Sequence, residues 1–170
     1  MGRKQVLIAL GMLAAVIACL AAASIALRSP AILVMEGPAE RLVFAVRWLL
    51  VPGLCLLAGV GLTANRRFFS AAAIDGGRPV DDGSFEINLR YNQNTLEQTV
   101  LAAVAWTGLA LALPASQLNL IPAMAGLFAV GRAAFWLGYL AAPWARAFGL
   151  GLTFYPTAAA LVWLAFRALR

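Results

Sequence analysis

Residues 5–27 read QVLIALGMLAAVIACLAAASIAL, and residues 42–64 read LVFAVRWLLVPGLCLLAGVGLTA. Each run has the length and character of a bilayer-spanning helix. About 30 Å of hydrocarbon must be crossed at 1.5 Å per residue, which takes about 20 mostly apolar residues. The second run contains one charge, Arg47, close enough to an end for its stem to carry the guanidinium to the interface. Arg3 and Lys4 precede the first run, as they would in a secretory signal, and Val16-Ile17-Ala18-Cys19 loosely resembles a lipoprotein cleavage box. A signal's apolar region is about 7–15 residues long, whereas this one continues through Ala26 and Leu27. An uncleaved span is expected.

Working outward, three further runs follow. The third begins within a polar segment and extends to Leu113; Pro114, Ser116 and Asn119 then make a short connection of the kind that joins antiparallel neighbours. The fourth covers residues 120–141 and is closed by Pro143, and the fifth covers 148–169. Between spans, a polar loop is expected over 28–41, with Pro30, Gly37 and Pro38 as breakers, and a longer one over 70–86, carrying Gly76-Gly77, Pro79 and Asp81-Asp82-Gly83. The expectation is an all-α integral membrane protein of five spans with no room for an extramembrane domain.

The composition agrees. The chain of 170 residues is 63% hydrophobic and 12% charged, against roughly 25% charged in soluble domains, and its mean hydropathy is +0.86. Its net charge of +6 does not point to nucleic acid, because the cations stand singly or in pairs between apolar runs and not along one solvated face. Positive charge beside spans is an orientation signal. With the N-terminus cytoplasmic, the inner segments hold Arg3, Lys4, Arg66, Arg67, Arg78, Arg90 and Arg146, and the outer ones Arg28, Arg41, Arg167 and Arg170. That bias predicts N-in and C-out, in a cell membrane of bacterial inner-membrane type.

The two cysteines, Cys19 and Cys55, lie inside apolar runs and read as small hydrophobes. Histidine is absent, so no Ser-His or Cys-His nucleophile pair can form, and no structural zinc or haem site is expected.

Two segments carry the polar chemistry. Glu86, Arg90, Asn94 and Glu97 stand at i, i+4, i+8 and i+11, one face of a helix. Glu86 and Arg90 fit an ordinary interfacial i,i+4 pair. Glu97 lies about a turn inside the bilayer, where an ionisable residue is costly and points to function. Arg132, Tyr139 and Arg146 recur at i, i+7 and i+14, again as one stripe. Arg132 lies about 21 Å deeper than Arg146, and an arginine there costs at least about 2.5–3.5 kcal/mol unless paired or facing a polar cavity. Glu97 is the acid within reach, so an Arg132–Glu97 contact is expected. Together the stripes outline a cytoplasm-facing, cation-rich pocket suited to a small anionic ligand with carboxylates, open to a lipophilic second substrate from the bilayer. With no usable nucleophile in the pocket, any nucleophile must arrive with a ligand.

At these residues the sequence resembles the MAPEG family, the membrane-associated proteins of eicosanoid and glutathione metabolism. The family's run Glu-Arg-x-x-Arg-x-(His or Gln)-x-Asn-x-x-Glu is similar to residues 86–97, which keep Glu86, Arg90, Asn94 and Glu97 but place Ile87 and Asn92 at the first Arg and at the His or Gln. Arg132, Tyr139 and Arg146 match the family's Arg-x6-Tyr-x6-Arg segment, with Phe135 where members of the family have a second pocket tyrosine. Arg66-Arg67-Phe68 stands where the family closes its first helix with basic residues. The resemblance covers residues 42–169 and identifies a divergent, bacterial-type member. It implies a MAPEG-like four-helix bundle over 42–170, with residues 1–41 as an extra N-terminal membrane helix and loop. It further implies a homotrimer binding glutathione between subunits. Arg67, Arg90, Asn94, Glu97, Arg132 and Tyr139 would hold the glutathione, and Arg146 would stabilise its thiolate. The activity implied is a glutathione-dependent transferase or peroxidase acting on lipophilic electrophiles among membrane lipids; the alternative is a non-catalytic membrane binding or assembly protein on the same fold. A small transporter ranks third, for want of an internal repeat.

Overall fold

The computed structural model of the chain describes residues 2–30, 37–70, 74, 76 and 83–170. They form five long helices: α1 (Arg3–Arg28), α2 (Pro38–Phe68), α3 (Gly83–Ala112), α4 (Leu120–Ala141) and α5 (Ala147–Ala168), with a 3-10 turn at Ala115–Gln117 before α4. All five are long and apolar enough to cross a membrane. The fold is thus all-α and membrane-spanning, as expected. Of the two long loops anticipated over 28–41 and 70–86, residues 31–36 and most of 70–86, including Arg78, lie outside the described residues. Their described edges are more helical than expected, since α1 runs through Arg28, α2 begins at Pro38 and α3 at Gly83.

Local chemistry explains those edges. Pro38 occupies the first helical position of α2, where its missing N–H costs nothing, and Glu40 follows in the first turn. Arg66 and Arg67 lie in the last turn, where cations complement the helix dipole. The opposite end of α3 is closed from outside: Arg41 of α2 donates to the carbonyls of Ala110, at 3.2 Å, and Leu113, at 2.6 Å. These are carbonyls that the end of a helix leaves without a backbone partner.

Side-chain pairings fix the helix directions. Arg66 meets Ser84 and Arg41 meets the end of α3, so α2 and α3 are antiparallel. Trp136 to Asn88 and Arg132 to Asn94 make α3 and α4 antiparallel. Gly131 of α4 lies against Gly149, and Gly138 against Ala145, so α4 and α5 are antiparallel too. By contrast α1 runs parallel to α5, with Gly11 beside Phe148 and Ala15 beside Gly151. One end of the bundle therefore gathers Arg3, Lys4, Arg66, Arg67, Arg90 and Arg146, and is called the basic end below.

The two halves are packed differently. Away from the basic end the core is apolar, with Trp106 and Phe128 edge to face among Leu109, Leu113, Ile121 and Met124. Toward the basic end a smaller aromatic cluster of Tyr91, Phe135 and Tyr139 leads to the polar residues. In that half, helices come within backbone contact. A Cβ on Gly131 would lie 2.9 Å from the Gly149 carbonyl oxygen, an approach that small residues permit in membrane helices.

Candidate functional site

Among the described residues one arginine is fully buried, Arg132 on α4. It is 1% exposed, and the close approach of α4 and α5 at Gly131 and Gly149 sets it against α5. Its Nη1 donates to Asn94 Oδ1 at 2.7 Å and its Nη2 to Thr153 Oγ1 at 2.7 Å. Thr153 in turn donates to the Leu150 carbonyl at 3.0 Å. The guanidinium lies 4.8 Å from the Phe135 ring centroid and 5.7 Å from that of Phe128. Its charge is therefore met by two neutral oxygens and two aromatic faces, which attract a cation through their quadrupoles.

The expected Arg132–Glu97 contact is not made. Glu97 is exposed and accepts a bond from Gln93 Nε2 at 2.9 Å, one turn back on the same helix. The reason is the rotation of α3. Its buried face carries Asn88, Tyr91, Thr95, Gln98 and Ala102, while Glu97 points away from α4 and Asn94 stands at the boundary, able to reach inward.

Nearer the basic end, Tyr139 links two cations. Arg90 Nη1 donates to its hydroxyl at 3.0 Å, and the Arg146 guanidinium stacks 4.5 Å from its ring centroid. Arg90 also pairs through Nε with Glu86 at 3.2 Å, the interfacial i,i+4 pair expected, and its side chain is 59% exposed. Tyr139 itself is buried, so it fixes where the two guanidiniums sit. Phe135 bridges the layers, packed against Arg132 on one side and Tyr139 on the other.

Arg90, Asn94, Arg132, Tyr139 and Arg146 are thus joined through Phe135 in one chain of contacts. Arg67 is not in it: exposed near the end of α2, it lies 5.9 Å from the ring of Phe85. Two partners escaped the sequence reading. Thr153 completes the Arg132 site from α5, and Trp136 donates to Asn88 Oδ1 at 2.9 Å, bracing α4 on α3. Asn92, at the position where the resemblance has His or Gln, donates to Thr63 Oγ1 at 2.9 Å and so braces α2.

The outer end of that chain of contacts sets an exposed and a half-buried guanidinium around a phenol, groups whose chemistry suits an anion. Of the cysteines, Cys19 lies on α1 against α5, while Cys55 of α2 borders the aromatic cluster, its carbonyl accepting from the Tyr91 hydroxyl at 3.2 Å.

A family model described as the MAPEG family matches residues 6–166. The chain belongs to the MAPEG family. That match spans all five helices, α1 included. Among curated relatives, this MAPEG chain is similar to transmembrane protein 79 of Mus musculus, 37% identical over 78 residues, which is 46% of this chain and 20% of that protein. It is also similar to transmembrane protein 79 of Bos taurus, 35% identical over 78 residues with the same coverage. The alignment thus spans about a fifth of the length of the curated relatives. No solved structure matches the chain.

Proposed function

We propose that this MAPEG protein binds glutathione at its basic end and presents the thiolate to lipophilic electrophiles, as a transferase or a peroxidase. One observation carries the reading: Arg90 and Arg146 converge on Tyr139, at a site rich in cations and hydrogen-bond donors. A guanidinium beside a thiol favours its ionised form. In transfer, the thiolate sulfur bonds to the electrophilic carbon as the bond to the leaving group breaks, and the departing anion takes up a proton. With a lipid hydroperoxide, two glutathione thiols supply two electrons and yield a disulfide, an alcohol and water. Arg90, Tyr139, Asn94 and Arg146 contact the ligand; Arg132, buried, positions Asn94.

The exposed polar edge of α3, with Gln93 and Glu97, supports a homotrimer in which a neighbouring copy covers that edge and contributes to the site. Arg67 and Glu97 then act across the interface. The cations at the basic end support a cytoplasmic N-terminus.

The second reading, a non-catalytic binding or assembly protein on this fold, draws support from Arg132. Both of its terminal nitrogens are engaged inside the bundle, and Asn92, where the family has His or Gln, is spent on Thr63. Titrating glutathione into detergent-solubilised protein separates the two, because a saturable ligand raises thermal stability by mass action. A rising Tm that Arg90→Ala and Arg146→Ala abolish supports the enzyme. A flat titration at millimolar glutathione, silent in both variants, leaves the non-catalytic reading.

A further inference from the structure

Helix α1 is held to the bundle at two places. Near its middle it crosses α5 at contact distance: a Cβ on Gly151 would lie 2.6 Å from Ala15 Cβ, and one on Gly11 3.4 Å from the Phe148 nitrogen. At its C-terminal end, Asn119 at the start of α4 donates from Nδ2 to the carbonyls of Ser29, at 3.2 Å, and Pro30, at 2.8 Å. A weaker link lies between. Pro156 has no N–H to offer the Leu152 carbonyl, and the Cys19 thiol approaches that oxygen at 4.0 Å.

Between the two fixed points the helices do not close. They leave a cavity of about 450 Å3 against α4, α5 and the end of α3, within the roughly 300–1,000 Å3 of small-molecule sites. Cys19, Ala23, Leu113, Met124, Tyr155 and Ala159 are among its walls. Its rim residues Leu20, Leu27 and Trp163 are exposed, so it opens sideways from the bundle. The one amide on its lining is Gln117, in the turn at the helix ends. It lies beyond the α1–α5 crossing from the basic end and is separate from the site described above.

We infer that this cavity seats one hydrocarbon chain of a membrane lipid, entering from the bilayer between α1 and α5 with its polar end toward Gln117. Walls of this kind lose dispersion contacts when nothing fills them, and an apolar cavity does not hold water. Its side opening lies along membrane-spanning helices, so the molecules at its mouth are lipid chains. Two tethers keep α1 from collapsing into the space. The small residues Ala23 and Ala159 leave it open, whereas a larger side chain at either would occupy it. This inference is independent of whether glutathione binds.

The test uses the full chain in nanodiscs containing a phospholipid with a photoactivatable diazirine on an acyl chain. After irradiation, adducts should concentrate on Cys19, Met124 and Tyr155. Ala159→Trp should reduce them severalfold, and Ala23→Phe should do so from the α1 side, which guards against either variant failing to fold. Ile17→Trp, of similar bulk but pointing into the bilayer at 59% exposure, should leave them unchanged. Adducts spread evenly over all bilayer-facing residues, or equally strong in Ala159→Trp and Ile17→Trp, would overturn the assignment. So would cavity residues left free of adducts, the result expected if a second copy filled the seat.

Discussion

The half of the bundle near the basic end and the half away from it are built on opposite terms. Near the basic end, helices meet backbone to backbone at Gly131, Gly138 and Gly149, and are tied by directed bonds among Arg132, Asn94, Thr153, Asn88 and Trp136. At the other end large apolar side chains pack around Trp106 and Phe128, and an open cavity remains beside α1. In water the apolar half would be the stable one. In a bilayer, lipid tails are as apolar as leucine, so association rests on packing and hydrogen bonds. The polar half is therefore the one that fixes the arrangement of α3, α4 and α5, and the apolar half is free to accommodate a guest.

That contrast can be broken most severely at Gly149, where an added Cβ would meet the Gly131 carbonyl and the Phe135 backbone. Gly149→Ala should cost about 3 kcal/mol or more, read as a large loss of Tm in detergent. Gly126, on the neighbouring α4 but in open space, should tolerate alanine with no loss, and a gain up to about 1 kcal/mol is expected from helix propensity. Equal effects at the two glycines would contradict the contrast.

Next in size is Arg132→Met, which leaves Asn94 Oδ1 and Thr153 Oγ1 without their donor and should cost about 3 kcal/mol. A double-mutant cycle sharpens the point. Arg132→Met combined with Asn94→Leu should show a coupling of about 1–2 kcal/mol, whereas Arg132→Met with Glu97→Gln should be additive within about 0.5 kcal/mol. Strong coupling to Glu97 would restore the ion pair that the geometry denies.

A smaller effect belongs to the far end. Asn119→Ala removes two bonds to the α1 terminus and should cost about 1–2 kcal/mol; hydrogen exchange should rise at the C-terminal end of α1 and stay unchanged at Arg132. The smallest change in stability is expected for Arg146→Ala, whose stacking on Tyr139 is worth about 0.5–1 kcal/mol. Its consequence for ligand is larger: the glutathione-dependent rise in Tm should disappear.

How much of this the sequence carried differs by layer. The five helices were legible because apolar runs of bilayer length leave little choice, and α4 falls on the expected residues 120–141. That Glu86, Arg90, Asn94 and Glu97 share a face was legible from spacing. Which way the face points was not, since periodicity defines a stripe but not its partner. Asn88, Tyr91, Thr95 and Gln98 are also polar and also periodic, and it is they that turn inward. Arg132 stands out in the sequence as the residue needing an explanation, yet its partners are neutral oxygens and not an acid. Thr153 could not be singled out, because a threonine in an apolar span commonly bonds its own helix, and nothing in Gly151-Leu152-Thr153-Phe154 marks this one as turned toward α4.

The parallel pairing of α1 with α5 also has a meaning in time. Cys19 and the Leu152 carbonyl it approaches are 133 residues apart in the chain. At synthesis rates of about 5–20 residues per second, α1 waits roughly 7–30 s for α5. During that interval the Gly11–Ala15 face of α1 is bare within the bilayer, and lipid occupies it before protein does.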